Sequence, residues 1–478
     1  MLRFSASPVV LAVVAHVLIW AVTPALLIGN LHQDTLEAAY WGSGAPLSLA
    51  RHPPLLSLMI QTVLGLHHAP IFLLLLMSQL GMAVAAFYVW RAARLYGGPQ
   101  AAALAVMLFV TSLPASFFAV QVNHNSMLAP FWAATLYYAL AYFERTRGRD
   151  ALLLGLSAGL GLLVKYELAL LLACLFALCL LRYRAVLRRP MTYVAALVCA
   201  AILAPHVADA LRHGGHAAAY ALGGHEMDET GLVHSVANIC VGQILLFAPN
   251  LIVVAWAARG RIAGSDKKAL VGAVLAFGPS LALIAGVVVT DQVAQPLWVL
   301  PFASSCAVGL ALLFDGAAPE VEATARRMAL GSSGLLVAFI AYLFLADVVG
   351  ASIGRPLTFY AADSRKLGEA VARLWETRAN GPFCVVIADP VLAASTVLWL
   401  RRALYVDFDH AEWSGPQNVR RCGRSGGIAI LTHTSEDALI LKAFPALRTA
   451  PRRSLAVPAA FGFSGQVWRV DLVFLAPA

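Results

Sequence analysis

From Val9 to Ile28 the chain is apolar almost without interruption, and the same pattern recurs until about residue 350. The apolar runs fall near residues 8–29, 70–90, 100–118, 127–143, 151–164, 167–181, 191–211, 235–257, 269–289, 296–314 and 328–349. A helix of about 20 apolar residues crosses the hydrocarbon core of a bilayer. The eleven runs therefore predict an α-helical polytopic membrane protein with about 11 transmembrane helices. Runs 127–143, 151–164 and 167–181 are short for a crossing, which tilt or burial among other helices accommodates. The first run has only Arg3 before it and no convincing small-residue cleavage site after it. It reads as a retained signal anchor.

Beyond about Gly350 the pattern changes. "FCVVIAD", "ALYVDFD", "GIAILTH" and "QVWRVDLVFLAP" are short β-prone runs separated by helix-like stretches and Gly/Pro turns. The expected organisation is a membrane domain over 1–350, with a first outer loop at 30–69, and a small α/β domain over 351–478.

Composition agrees: 60% of the 478 residues are hydrophobic and 12% are charged, roughly half the charged fraction of a soluble domain. The net charge of +9 would suit nucleic acid, but the basic residues lie in short loops between apolar runs. Sixteen Lys and Arg residues, from Arg3 to Arg327, fall on one side, against Arg51, Lys165 and Arg212 on the other. That asymmetry predicts a cytoplasmic N-terminus and, after an odd number of crossings, a periplasmic final domain. It also accounts for the charge without nucleic acid. Five of the seven cysteines sit in apolar runs; Cys384 and Cys422 belong to the final domain, either paired or as packed thiols.

Candidate chemistry concentrates on the outer side. In "NLHQDTLEAAYWG", Asp34 and Glu37 share a helix face with Trp41 one turn on. Asp34 reads as an N-cap, with Glu37 close to completing a capping box, or as a carboxylate base that takes a proton from a hydroxyl. The two roles are compatible. Arg51-His52-Pro53-Pro54 reads as a helix start with a snorkelling arginine, or as part of a site. Arg51 and Lys165 both break the charge asymmetry, and cations between apolar runs mark function or a buried partner. Together they would hold a phosphate; alternatively Lys165 pairs with Glu167 or Asp34. Eleven of the thirteen histidines fall in or beside outer loops or in the final domain, yet their spacing matches no compact zinc site.

The Asp-x-x-Glu after the first span, the aromatic-Gly pair and "RHPPLLSLM", followed in order by "VNHNSMLAPFWAATLYYAL", "GLLVKYELALLL", "RRPMTYVAALVCAAILAPHV" and "QPLWVLPF", resemble bacterial membrane glycosyltransferases of the dolichyl-phosphate-mannose protein mannosyltransferase type. Aminoarabinose and galacturonic acid transferases acting on lipopolysaccharide are relatives. The resemblance covers roughly the first 310 residues. It implies the GT-C fold, with an active site at the first outer loop and its two surface helices. It further implies an inverting glycosyltransferase that moves a sugar from a polyprenyl phosphate to a lipid or glycan acceptor on the outer face of the inner membrane.

On that resemblance Asp34 is the catalytic base and Arg51 a donor-phosphate contact; Lys165, by its charge and position, is expected to join Arg51, and Glu37, Tyr40, Trp41, His52, Asn123 and Asn125 to contact sugar or acceptor. No cofactor is implied, and a divalent cation is left open. Two departures stand out: Asn123-His124-Asn125 replaces a second acidic motif, and Glu167 replaces an aromatic after Lys-Tyr. The rival readings are a transporter or flippase for a lipid-linked precursor, with Lys165 and Glu167 on the substrate path, and an assembly factor.

Overall fold

The computed structural model describes residues 7–41, 47, 49, 52–66, 69–212, 231–257, 266–290, 294–314, 320–353, 358, 360, 363–378, 385–388, 395–396, 399, 404–406, 427–431, 435–443, 445–458 and 467–475. The expectations for Arg51, Cys384 and Cys422, and for the Tyr40 side chain, lie outside the described residues. In chain order the helices are α1 (Pro8–Leu27), α2 (Gln33–Trp41), α3 (Leu55–Leu64), α4 (Pro70–Tyr96), α5 (Pro99–Val110), α6 (His124–Arg145), α7 (Gly148–Val164) and α8 (Leu168–Arg182). They continue as α9 (Pro190–Arg212), α10 (Gly231–Ala257), α11 (Asp266–Thr290), α12 (Ala303–Leu313), α13 (Val321–Ile353), α14 (Ser364–Arg378) and α15 (Ser435–Ala443). The strands are β1 (Val385–Ile387), β2 (Leu404–Val406), β3 (Gly427–Leu431), β4 (Arg452–Pro458) and β5 (Val467–Leu475).

Each of the eleven apolar runs lies on helical backbone for most or all of its length. Among the described residues six helical stretches are long and apolar enough to cross a membrane: Pro8–Leu27, Pro70–Tyr96, Pro190–Arg212, Lys267–Val289, Pro296–Leu313 and Val321–Ser352. Shorter apolar helices accompany them, Pro99–Val110 and Leu168–Arg182 among them. The chain is thus an α-helical polytopic membrane protein. The run at 100–118 differs from expectation, because α5 stops at Val110. There the Thr111 and Ser112 hydroxyls donate back to the carbonyls of Met107 (2.7 Å) and Phe109 (2.6 Å). Pro114 then removes the donor that a continuing helix needs.

The chain divides into two compact units, one of residues 1–21, 46–56 and 75–337, the other of residues 22–45, 57–74 and 338–478. In the first, α7 packs on both α6 and α9. Lipid tails supply no hydrophobic drive between helices, so small residues that admit close backbone approach hold such pairs together. Gly155 and Gly159 do this: a Cβ on Gly155 would fall 2.3 Å from the Ala195 carbonyl oxygen, and one on Gly159 2.9 Å from the Ile202 Cβ. Gly155→Ala therefore forces α7 and α9 apart and is expected to destabilise the protein by about 1–3 kcal/mol. Thermal unfolding in detergent checks this, and an unchanged midpoint would count against the close approach.

In the second unit the sheet order is β2-β1-β3-β5-β4, parallel across β2, β1 and β3 and antiparallel at β5 and β4. β3 is buried along its length, as expected for a strand with neighbours on both edges and a covered face. The amphipathic α14 turns Leu367, Val371, Leu374 and Trp375 inward, and the Trp375 ring meets Phe474 of β5 at 5.4 Å. This is the small C-terminal α/β fold expected. β4 was not expected; Arg452 and Arg453 open it and Pro458 ends it, so its sequence carries little β signal. Those same residues suit a strand bonded on one side only.

Candidate functional site

In the second unit the stretch after α1 is tied to residues beyond the last long helix. Gly29 donates its N–H to the Tyr360 carbonyl at 2.8 Å, and its own carbonyl accepts from the Ser364 hydroxyl at 2.7 Å. The Trp399 indole donates to the same Ser364 oxygen at 3.0 Å. Next along the chain, Asn30 is fully buried and donates to the Ser395 hydroxyl at 2.7 Å. These bonds fix the point from which α2 starts. Gln61 of α3 donates to the Ala39 carbonyl and so holds the other end of α2.

α2 begins two residues earlier than a capping role for Asp34 requires. Its N-cap position is His32, whose carbonyl accepts from Thr35 at 3.0 Å and Leu36 at 3.2 Å. The His32 Nδ1 accepts the Asp34 N–H at 3.3 Å, so an imidazole nitrogen takes the part expected of a carboxylate. Asp34 is thereby moved into the first turn, where the helix dipole favours a negative charge. Its side chain is 47% exposed. Glu37 is buried instead and accepts from the Gln33 amide at 2.8 Å. Of the two acids, only Asp34 combines exposure with a rigid mount. Trp41 closes the helix half-buried.

His32 Nδ1 also lies 3.6 Å from the Asp34 carboxylate. That is no ion pair at neutral pH: burial pushes the His32 pKa below its ordinary 6.5, with Asp34 pulling weakly the other way. A nitrogen that accepts a backbone N–H carries no proton, in agreement. His32 therefore lends Asp34 no compensating charge. Because the folded pKa is the lower one, the unfolded chain binds the extra proton. The contribution of His32 is complete above about 6.5 and declines as the pH falls through and below that value. His32→Gln, which retains an acceptor for the Asp34 N–H, is expected to flatten the fall in unfolding temperature between about pH 7 and 5. An unaltered pH slope would show that His32 does not titrate this way.

The first unit carries a second polar cluster. α6 opens with a capping box: the Asn123 side chain accepts from the N–H groups of Asn125 (3.0 Å) and Ser126 (3.1 Å), and the Ser126 hydroxyl accepts from the Asn123 N–H (2.9 Å). Asn123 also donates to Gln121 at 2.9 Å. Its amide thus builds the helix end. Asn125 instead accepts from the Lys165 ammonium at 2.6 Å. Lys165 follows α7 and pairs with Glu167 at 2.8 Å, the two side chains only 15% and 14% exposed. Of the alternatives for Lys165, the pair with Glu167 is realised. Glu167 lies between α7 and α8, directly before Leu168. Its second oxygen is buried without a hydrogen-bond partner.

The His52 ring lies against His124, centroids 4.0 Å apart. His52 precedes Pro53, Pro54 and the start of α3, so the two prolines do initiate a helix. Between α7 and α8, Tyr166 bonds to His206 of α9, a partner that nothing in the sequence pattern marked. An apolar cleft lined by Met82, Phe109, Phe118 and Leu300 reaches Asn125 and Ser126. Among the described residues no three His, Cys, Asp or Glu side chains group closely enough to hold a metal ion.

Chemically, one unit offers an exposed carboxylate on a fixed short helix, and the other a partly shielded ammonium with polar company. Residues 51–208 match the family model described as dolichyl-phosphate-mannose-protein mannosyltransferase. Over nearly its whole length the chain has the fold of ArnT from Cupriavidus metallidurans. The apo crystal structure superposes with a TM-score of 0.65 at 14% identity, covering 97% of both chains. The structure bound to undecaprenyl phosphate gives 0.66 at 14% identity, covering 98% of this chain and 97% of the other. No curated protein sequence matches.

Proposed function

We propose that this chain, which is of the dolichyl-phosphate-mannose-protein mannosyltransferase type and has the GT-C fold of ArnT, is an inverting glycosyltransferase. It takes a sugar from a polyprenyl phosphate and passes it to a lipid or glycan acceptor at the outer face of a bacterial inner membrane. The observation that carries this reading is Asp34: a carboxylate 47% exposed on a short helix a few residues beyond the first apolar span, held from both ends and not neutralised by His32. A lipid-linked sugar presents its phosphate at the membrane surface and its sugar in water. A base at that level deprotonates the acceptor hydroxyl, whose oxygen attacks the anomeric carbon. The carbon–oxygen bond to the phosphate breaks on the opposite side, which inverts the centre.

The leaving polyprenyl phosphate gains charge as that bond breaks, and Arg51 and Lys165 stabilise it. Glu37, Tyr40, Trp41, His52 and Asn125 are assigned to contacts with sugar and acceptor. Residues 351–478 form the periplasmic domain that helps to place the acceptor. The hydrogen bonds that tie Gly29 and Asn30 to Tyr360, Ser364 and Ser395 support that role. ArnT with undecaprenyl phosphate bound supports the choice of donor lipid.

The test is to incubate purified protein with a panel of undecaprenyl-phosphate sugars and an envelope lipid fraction, and to measure release of undecaprenyl phosphate. Acceptor-dependent release supports the reading. A transporter would instead move the intact lipid across a vesicle membrane without cleaving it.

A further inference from the structure

Two basic stretches of the first unit lie outside the site described above. Arg145, Arg147 and Arg149 stand at the join of α6 and α7. Arg182, Arg184, Arg188 and Arg189 stand at the join of α8 and α9, around a short 3-10 helix at Arg184–Arg188. All seven are exposed. They lie at the end of α7 opposite Lys165, roughly 25 Å away along a helix of 17 residues. This patch and the Lys165 cluster are therefore separate places.

The two joins form one surface, because they share the packing beneath them. Tyr142, Ala151, Val186 and Ala195 belong to a single buried apolar cluster, with Tyr183 and Met191 packed against it. Thr192 donates to the Val186 carbonyl at 2.6 Å and so accepts from the Tyr142 hydroxyl at 3.0 Å. Tyr183 donates to Glu144, at the end of α6. A Cβ on Gly148 would stand 3.2 Å from the Met191 Cε, so the start of α7 lies close against the start of α9. The arginines are thus mounted on a fixed base, and a ligand would find little backbone left to order.

Among the described residues the protein leaves this charge unmatched. Of the two acids in segments 144–150 and 182–189, Glu144 is taken by Lys267 at 2.7 Å and Asp150 is buried. None of the seven arginines forms an ion pair with a described residue. Arg184 gives its Nε to the Leu180 carbonyl at 2.7 Å. Arg91, by contrast, donates to Tyr137 and lies over its ring. Every base in the two segments is arginine, although lysine would serve membrane topology equally well. What arginine adds is a planar fork that binds phosphate oxygens in pairs. Leu181, Tyr193 and Leu197 adjoin the patch on α8 and α9, all well exposed. Phosphate and apolar tails would therefore be met side by side.

We infer that the α6–α7 and α8–α9 joins form a headgroup site for an anionic phospholipid, with its phosphate on the guanidinium groups and its acyl tails along Leu181, Tyr193 and Leu197. The site uses none of the residues assigned to sugar transfer and stands independently of that reading. A lipid held there bridges the ends of α6, α7, α8 and α9.

The experiment titrates the full-length protein in detergent with phosphatidylglycerol or phosphatidylcholine and counts bound lipid by native mass spectrometry. The wild type is expected to retain phosphatidylglycerol about tenfold better than phosphatidylcholine. Arg147→Gln and Arg188→Gln should each lower that preference about threefold, and together should remove most of it. Arg94→Gln combined with Arg326→Gln takes the same charge from exposed positions on α4 and α13, and should hardly change it. Excess inorganic phosphate, which has no tails, should displace little phosphatidylglycerol. The inference is overturned if the wild type shows no preference, or if the two double variants lose it equally, which would mean diffuse charge and no site. Ready displacement by inorganic phosphate overturns it too, in favour of a free-anion site. If the Arg147/Arg188 double variant fails to fold, an unchanged preference in the two folded single variants overturns it just as well.

Discussion

Asp34→Asn is expected to reduce turnover by about 100-fold or more while leaving the protein folded. Asparagine keeps the volume and an accepting oxygen. Asp34 does not cap α2, so no cap is lost. What the fold gives up is the attraction between a carboxylate and the first turn of a nine-residue helix, about 0.3–1 kcal/mol. What the reaction is expected to give up is its base: among the described side chains of α2, Asp34 is the exposed carboxylate. Glu37→Gln is the comparison: that carboxylate is 8% exposed, engaged with Gln33 and assigned to contact substrate, so its loss should fall on KM. It should change turnover by far less. The measurement is the rate of undecaprenyl phosphate release at saturating donor. Near-normal turnover in folded Asp34→Asn, or an equal loss in Glu37→Gln, would remove Asp34 from the role of base.

The contrast between those acids was only half legible in the sequence. Spacing put Asp34 and Glu37 on one helix face, and the structure places both in α2. Spacing alone could not say which one would be buried. That depends on where the helix starts, and His32 moved the start by two residues because an imidazole nitrogen accepts a backbone N–H as well as a carboxylate does.

The membrane helices were readable for a simpler reason: a bilayer demands long apolar runs whatever the tertiary contacts. Where reading failed, polar side chains had overridden hydropathy, as at Thr111 and Ser112, which end α5 inside an apolar run. β4 was invisible because its partner, not its own composition, makes it a strand: every residue from Arg452 to Pro458 pairs with β5. His206 was invisible for a different reason. Its partner Leu47 is 159 positions away, and no local pattern encodes a contact of that range. The motif stretches around Arg51, Asn125 and Lys165 did stand out, as polar residues at the ends of apolar runs must. Their pairing did not: that Asn125 rather than Asp34 shares Lys165 with Glu167 follows from how α6 and α7 pack.

Lys165→Met is the other large effect expected, and it falls on stability as well as on donor binding. In the wild type the ammonium bonds to Glu167 at 2.8 Å and to Asn125 at 2.6 Å, with little exposure on either side of the ion pair. One Glu167 oxygen already lacks a partner. Removing Lys165 strands the whole carboxylate between α7 and α8, and breaking a buried pair from one side costs about 3–5 kcal/mol. Lys165→Met combined with Glu167→Gln removes both charges and should restore most of the unfolding temperature. The double variant then isolates function from folding: with stability recovered, loss of undecaprenyl phosphate binding reports on the ammonium itself. If the double variant is stable and binds like the wild type, Lys165 serves the fold alone and the donor phosphate is held elsewhere. If the single variant is as stable as the wild type, the pair is weaker than its burial implies and its structural role falls.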